Sequence, residues 1–222
     1  MKQEPVAGMD PERLARIPAW LHSLVEKEQV AGAVTLIARH GVVASLEAVG
    51  YQDLETRRPM RPDTIFQIRS MTKPVTAAAT MILLEEGRLH LTEPVEKHLP
   101  ELRGISVSES REGEKEPLLR PPSRAITIYD LLTHTSGMRE NMLLEPRPLD
   151  ADTILQLTLA EHVAIAAQLP LEFEPGTQFQ YTDTGFSTLG RIIEVVSEQP
   201  YEKFIAETIF EPLGMKDSFF FV

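Results

Sequence analysis

The sequence predicts an α+β protein: an early antiparallel hairpin followed by a mainly helical region. Two observations carry that prediction. Near the N-terminus, the apolar runs 31–38 and 42–49 flank Arg39-His40-Gly41, a turn signal. Behind them, apolar residues recur at helical spacing, with no internal repeat.

Taken in order, Asp10-Pro11 starts a helix carrying Leu14, Ile17, Trp20, Leu21, Leu24 and Val25 at helical spacing. Pro18 lies inside that pattern and predicts a kink or a later true start. Gly41 supplies the positive φ of the hairpin turn. Residues 64–69 are expected to be a short extended segment leading to Ser70. From Ser70 a helix runs to a C-cap near Gly87, and its Thr76–Leu84 stretch is so apolar that it reads as buried rather than amphipathic. Residues 103–124 are charged and contain prolines, so a surface loop is expected. Thr127 caps a short helix over 128–134, closed by Thr135-Ser136-Gly137, and an irregular stretch reaches Asp150. A helix over 152–168 turns Ile154, Leu155, Leu159, Val163 and Ala166 inward. Pro175-Gly176 makes a turn, and helices over 185–197 and 200–210 follow until Pro212-Leu213-Gly214 breaks the pattern. Phe219-Phe220-Phe221 reads as a strand whose partners lie elsewhere.

Composition narrows the function classes. The 222 residues are 42% hydrophobic and 25% charged, ordinary for a globular protein. A net charge of −11, without a basic cluster, argues against a nucleic-acid partner. The absence of cysteine removes disulfides, thiolate metal sites and cysteine nucleophiles together. Residues 1–14 have no apolar core for export and no segment approaches a membrane span, so a cytoplasmic location without a membrane partner is expected. The six histidines are scattered, and neither H-E-x-x-H nor a glycine-rich phosphate motif is present; no metal or cofactor is expected.

The chemistry concentrates at Phe66-Gln67-Ile68-Arg69-Ser70-Met71-Thr72-Lys73. Residues three apart share a helix face, so the Ser70 hydroxyl and the Lys73 amine can meet. A serine beside an amine can become nucleophilic without a histidine. The spacing alone is weak: an S-x-x-K match arises about once in a chain this long, and on the tetrapeptide alone a serine N-cap with a solvated lysine is the better reading. Context favours chemistry. A lysine opening a buried helix suffers desolvation and an unfavourable helix dipole. Both push its pKa below the usual lysine value, which would let Lys73 accept the Ser70 proton.

Tyr181 precedes a helix in a turn, two residues ahead of Asp183. Near an ammonium its phenol becomes more acidic, fitting it to act as base for Ser70 or to protonate a leaving group. The alternative is a half-buried tyrosine packing on the next helix. His134 reads as structural, a histidine in the last turn of a helix bonding nearby carbonyls. No G-x-S-x-G elbow supports a serine–histidine pair.

Together these segments resemble the serine β-lactamase-related family of class C β-lactamases, penicillin-binding D,D-peptidases and related esterases. The likeness is carried by FQIRSMTKPVTAAATMILLEEGRLHLTEPVEKHLPEL, ITIYDLLTHTSGM, the block from FEPGTQFQYTDTGF to KDSFF, and VAGAVTLIARHGVVASLEAVGYQDLETRRPM. The resemblance implies a β-lactamase/transpeptidase-like fold, with residues 1–69 forming the N-terminal part of the sheet domain and 70–222 the nucleophile helix and helical domain. It implies Ser70 as the acylated nucleophile, Lys73 and Tyr181 as its proton partners, and a small ester or amide as substrate. Asp183 stands where the family's Y-x-N motif has asparagine, at a substrate-binding position. An aspartate there offers only acceptors, holds Lys73 protonated and disfavours an anionic β-lactam relative to a neutral ester.

The family's later strands, a third motif of K-T-G or H-x-G type and the second oxyanion-hole donor are not found after Phe219. Losing one such donor costs about 10²–10³ in rate. The sequence is therefore expected to be a truncated member or one piece of a split protein, with a second chain or self-association completing the sheet. The leading expectation is a serine hydrolase. A non-catalytic remnant that binds a ligand or partner and half of a two-chain enzyme are the alternatives.

Overall fold

The computed structural model describes residues 6–109, 117–139 and 156–220. It divides into two compact units, Met1–Gln67 and Ile68–Val222.

In the first unit Asp10 caps helix α1 (Pro11–Leu14), its carboxylate accepting the Glu12 N–H at 2.9 Å. The chain breaks at Ala15 and restarts as α2 (Arg16–Glu26). Pro18 thus falls in the first turn of α2, where backbone N–H groups have no intrahelical partner to lose. Strands β1 (Gly32–Arg39) and β2 (Val42–Asp53) pair antiparallel from Gly32↔Gly50 to Arg39↔Val42. His40 and Gly41 both take left-handed φ, 51° and 76°, as a two-residue turn matching strand twist requires. A two-residue strand β3 (Arg58–Pro59) joins β2. Helix α2 packs on the hairpin, burying Leu21 and Val49. The cross-strand pair Leu36 and Leu46 stays exposed.

Residues 64–68 join no strand ladder, and the extended lead-in expected over 64–69 fails at its end, where Ile68 has helical dihedrals, φ −81° and ψ −7°, and Arg69 is left-handed. The second unit begins there. A 3₁₀ turn at Arg69–Met71 feeds α3 (Thr72–Glu85), and Gly87 follows at φ 70°. The buried positions of α3 are Thr76, Ala79, Thr80 and Leu83, one stripe at i, i+3, i+4 and i+7, while Met81 is 43% exposed. The helix is therefore amphipathic in use. Alanines on its outer face are apolar by composition yet cheap to leave in water.

The expected surface loop over 103–124 contains a ladder, β4 (Val107–Glu109) with β5 (Leu118–Arg120), paired through Ser108↔Leu119. Arg120 holds it by pairing with Glu109 and Glu174. Charge-rich sequence hid a strand pair that is also tied by backbone bonds to Leu171 and anchored by the buried Val107. Helix α4 (Ile128–Leu132) carries the expected Thr127 cap as a full capping box with Asp130. Helix α5 (Leu159–Ala166) starts at a second box, Thr158 with Glu161, so the helix expected over 152–168 is interrupted at 157–158, and its residues 152–155, Ile154 and Leu155 among them, lie outside the described residues. Helices α6 (Asp183–Ser197) and α7 (Tyr201–Ile205) complete the unit, α7 passing into a wider π-type turn over Ala206–Phe210. Leu189, Ile192 and Ile193 of α6 are fully buried, and α3, α4, α5 and α7 pack against that helix. The phenylalanine run is not a strand where it is described. Phe220 packs on Tyr201 and Phe210, so hydrophobic contact rather than ladder formation fixes it; Phe221 lies outside the described residues. Among the described residues no helix is long and apolar enough to cross a membrane.

Asp130 anchors the region behind the site. Its side chain is 1% exposed and accepts from Arg124 at 2.5 and 2.8 Å, from the Thr127 N–H at 2.9 Å and from the Thr135 hydroxyl at 3.1 Å. Burial alone would raise its pKa, but the bonds from Arg124 and Thr127 outweigh it and hold the carboxyl below the ordinary aspartate value. A depressed folded-state value stabilises the fold above about pH 4, and that stability is lost as pH falls through the folded value. Asp130→Ala removes the α4 capping box and the buried acceptor of Arg124 and Thr135, and is expected to cost about 2 kcal/mol, measured by urea unfolding near neutral pH.

Candidate active site

The site is built where the N-terminal ends of α3 and α6 meet. Arg69 adopts φ 50°, a conformation rare outside glycine, immediately before Ser70. That bend and the 3₁₀ turn place the Ser70 hydroxyl one turn from Lys73, whose Nζ donates to the Ser70 Oγ at 3.4 Å. On the other side Lys73 forms an ion pair with Asp183, the first residue of α6. The Thr182 hydroxyl caps α6 by accepting the Thr184 N–H at 3.1 Å, so the helix start that aims Asp183 is fixed. A carboxylate suits the first turn of a helix. It offsets the unfavourable position of the ammonium in the first turn of α3.

The Tyr181 ring lies under the Lys73 ammonium, 4.4 Å from Nζ to the ring centroid. The Lys73 ammonium and the Ser70 hydroxyl, Lys73 first, hold the phenol below its ordinary pKa, against slight burial and the repulsion of Asp183. The lysine shifts the other way from the sequence expectation. Burial, with the side chain 13% exposed, opposes its charge, but the ion pair with Asp183 and then the neighbouring Tyr181 outweigh burial and raise its pKa. The sequence argument assumed an unpaired ammonium; the partner that reverses the sign is 110 residues away. Lys73 is an ammonium here, and Tyr181 is the more acidic group.

Ser70, Lys73 and Asp183 line a cleft of about 570 Å³, closed further in by Thr76, Phe186 and Tyr201. The Thr76 and Tyr201 hydroxyls bond each other at 2.6 Å. Thr76 and Phe186 lie one helical turn beyond Lys73 and Asp183, a spacing legible once both helices are known. His134 was expected to sit in a helix and to bond carbonyls. It lies beyond α4 at φ 58°, and its ring Nδ1 accepts the Thr182 N–H at 3.2 Å. Among the described residues, no group of three or more His, Asp or Glu side chains could hold a metal ion.

All four residues singled out from the sequence thus share one cleft or its rim. Known proteins carry the same likeness. EstB, an esterase of Burkholderia gladioli, is 34% identical over 210 residues, 91% of this chain and 50% of that protein. Protein Rv1367c of Mycobacterium tuberculosis is 37% identical over 197 residues, 87% of this chain and 48% of its own length. The solved structure of EstCE1, a hydrolase with promiscuous acyltransferase activity, superposes with a TM-score of 0.74 at 28% identity, covering 90% of this chain and 51% of that one. The chain spans about half the length of these relatives. The beta-lactamase family model matches residues 17–222, from α2 through the Ser70 turn and Tyr181 to the last residue, and with relatives above 30% identity over most of its length the chain belongs to the beta-lactamase family.

Proposed function

We infer that the chain acts as a serine hydrolase that forms an acyl-enzyme at Ser70 on a small carboxylic ester or amide. The observation that carries this reading is the convergence of the Ser70 hydroxyl, the Lys73 ammonium and the Tyr181 phenol from positions far apart in sequence. The charge states assign the roles. Tyr181, as phenolate, takes the Ser70 proton while Oγ bonds to the substrate carbonyl carbon. Lys73 stays protonated and stabilises that phenolate. The phenol then returns the proton to the departing alkoxide or amine, and a water repeats the sequence to release the acid. Another acceptor in place of water gives acyl transfer by the same steps. Asp183 favours esters over β-lactams, because a carboxylate already paired with Lys73 has no hydrogen to donate to a substrate carboxylate.

A fluorophosphonate probe tests this. One adduct mass is expected at Ser70, absent in Ser70→Ala, with p-nitrophenyl acetate turned over faster than penicillin. Unmodified Ser70 after stoichiometric probe overturns the assignment for this chain. A second reading is supported by the exposed Leu36 and Leu46 and by the greater length of the relatives. In it, a second chain or a second copy covers the hairpin, and labelling rises with protein concentration.

A further inference from the structure

Tyr181 is secured through one residue. The His134 ring stacks on the phenol ring, centroids 4.6 Å apart and planes 29° apart. Its Nδ1 accepts the Thr182 N–H at 3.2 Å, and its carbonyl oxygen accepts the Gln180 N–H at 2.9 Å. The backbone on both sides of Tyr181 is therefore tied to His134, and the side chain between them is covered by its imidazole. An accepting Nδ1 puts the ring proton on Nε2. Phe179 and Phe186 close on the same imidazole at 5.8 and 5.1 Å. The histidine is itself fixed, since Thr135 beside it donates to the buried Asp130. Histidine is among the side chains enriched in the left-handed region, and here that conformation lets one residue direct both its carbonyl and its ring at the Tyr181 turn.

We propose that His134 is a positioning residue, holding the Tyr181 oxygen against Ser70 and Lys73 by stacking and by the Thr182 bond. The proposal rests on the acyl-enzyme reading for its chemistry and on geometry alone for its placement. Among the described residues, charged groups near the pair include Lys73 from α3, Asp183 from α6 and, behind Thr135, Asp130 with Arg124. Of these, Lys73 meets the Tyr181 ring, through the ammonium that the phenol must face.

Two readouts test it. The first is the phenolate ultraviolet titration of Tyr181, taken as the difference between the chain and Tyr181→Phe. The second is the rate of fluorophosphonate labelling at Ser70. His134→Asn tolerates the left-handed backbone and removes the ring. There the Tyr181 titration is expected to rise toward the ordinary value near 10, with labelling slowed about 10²-fold. His134→Phe keeps a stacking ring but loses the acceptor, so the titration moves less and labelling slows about tenfold. A merely structural histidine would lower the thermal midpoint and leave Tyr181 of the folded protein unchanged. A native Tyr181 titration in either folded variant overturns the proposal. If the native chain resists the probe, the acyl-enzyme reading fails, and the titration still decides the role of His134.

Discussion

Tyr181→Phe is expected to slow acylation of Ser70 by about 10²–10⁴-fold, the range for removing a positioned general base. The ring stays, so the stacking with His134 and the cation–π contact with Lys73 remain, and only the proton carrier is lost. The native rate should climb with pH through a value below the usual tyrosine pKa, because Lys73 and Ser70 stabilise the phenolate. It should fall only above the usual lysine value, where the raised Lys73 finally loses its proton. In Tyr181→Phe the ascending limb disappears. Rates of p-nitrophenyl acetate hydrolysis or probe labelling across pH measure both effects. An unchanged limb would transfer the base role to another group.

Lys73→Met should be comparably slow, by about 10²-fold or more, yet leave the fold intact. The largest influence lowering the Tyr181 pKa is lost, so any remaining limb moves to higher pH. For stability, two effects oppose. The raised folded-state pKa means that, while Asp183 is ionised, the ion pair stabilises the protein fully below about pH 10.4, and this is lost as pH rises through the folded lysine value. Against it, methionine removes the desolvation of an ammonium that is 13% exposed and fills the same stem volume. Asp183, 68% exposed, is not left buried without a partner. The thermal midpoint is therefore expected to stay within about 4 °C of the native one. A larger drop would show that the Lys73–Asp183 pair is chiefly structural.

The readable parts of this chain are those whose signals are local. The hairpin turn was legible because His40-Gly41 accept left-handed φ, and the α4 cap because Thr127 and Asp130 are three apart. The S-x-x-K spacing named Ser70 and Lys73, since one helical turn brings them together whatever surrounds it. Signals that depend on distant partners misled. Charge in 103–124 concealed β4 and β5, whose Arg120 reaches Glu174 54 residues away. Phe219 and Phe220 have strand composition, but Phe220 is claimed by Tyr201 and Phe210. For His134 the motif gave a helix-end reading, and no spacing rule links it to Thr182 across 48 residues.

By itself the sequence named the hydroxyl, amine and phenol proposed to carry the chemistry, because residue type and the one-turn S-x-x-K spacing are local properties. Only the tertiary structure decided which of them holds the proton. That choice turns on the ion pair between α3 and α6, an interaction falling off so steeply with distance that the sequence separation of its partners says nothing of its strength.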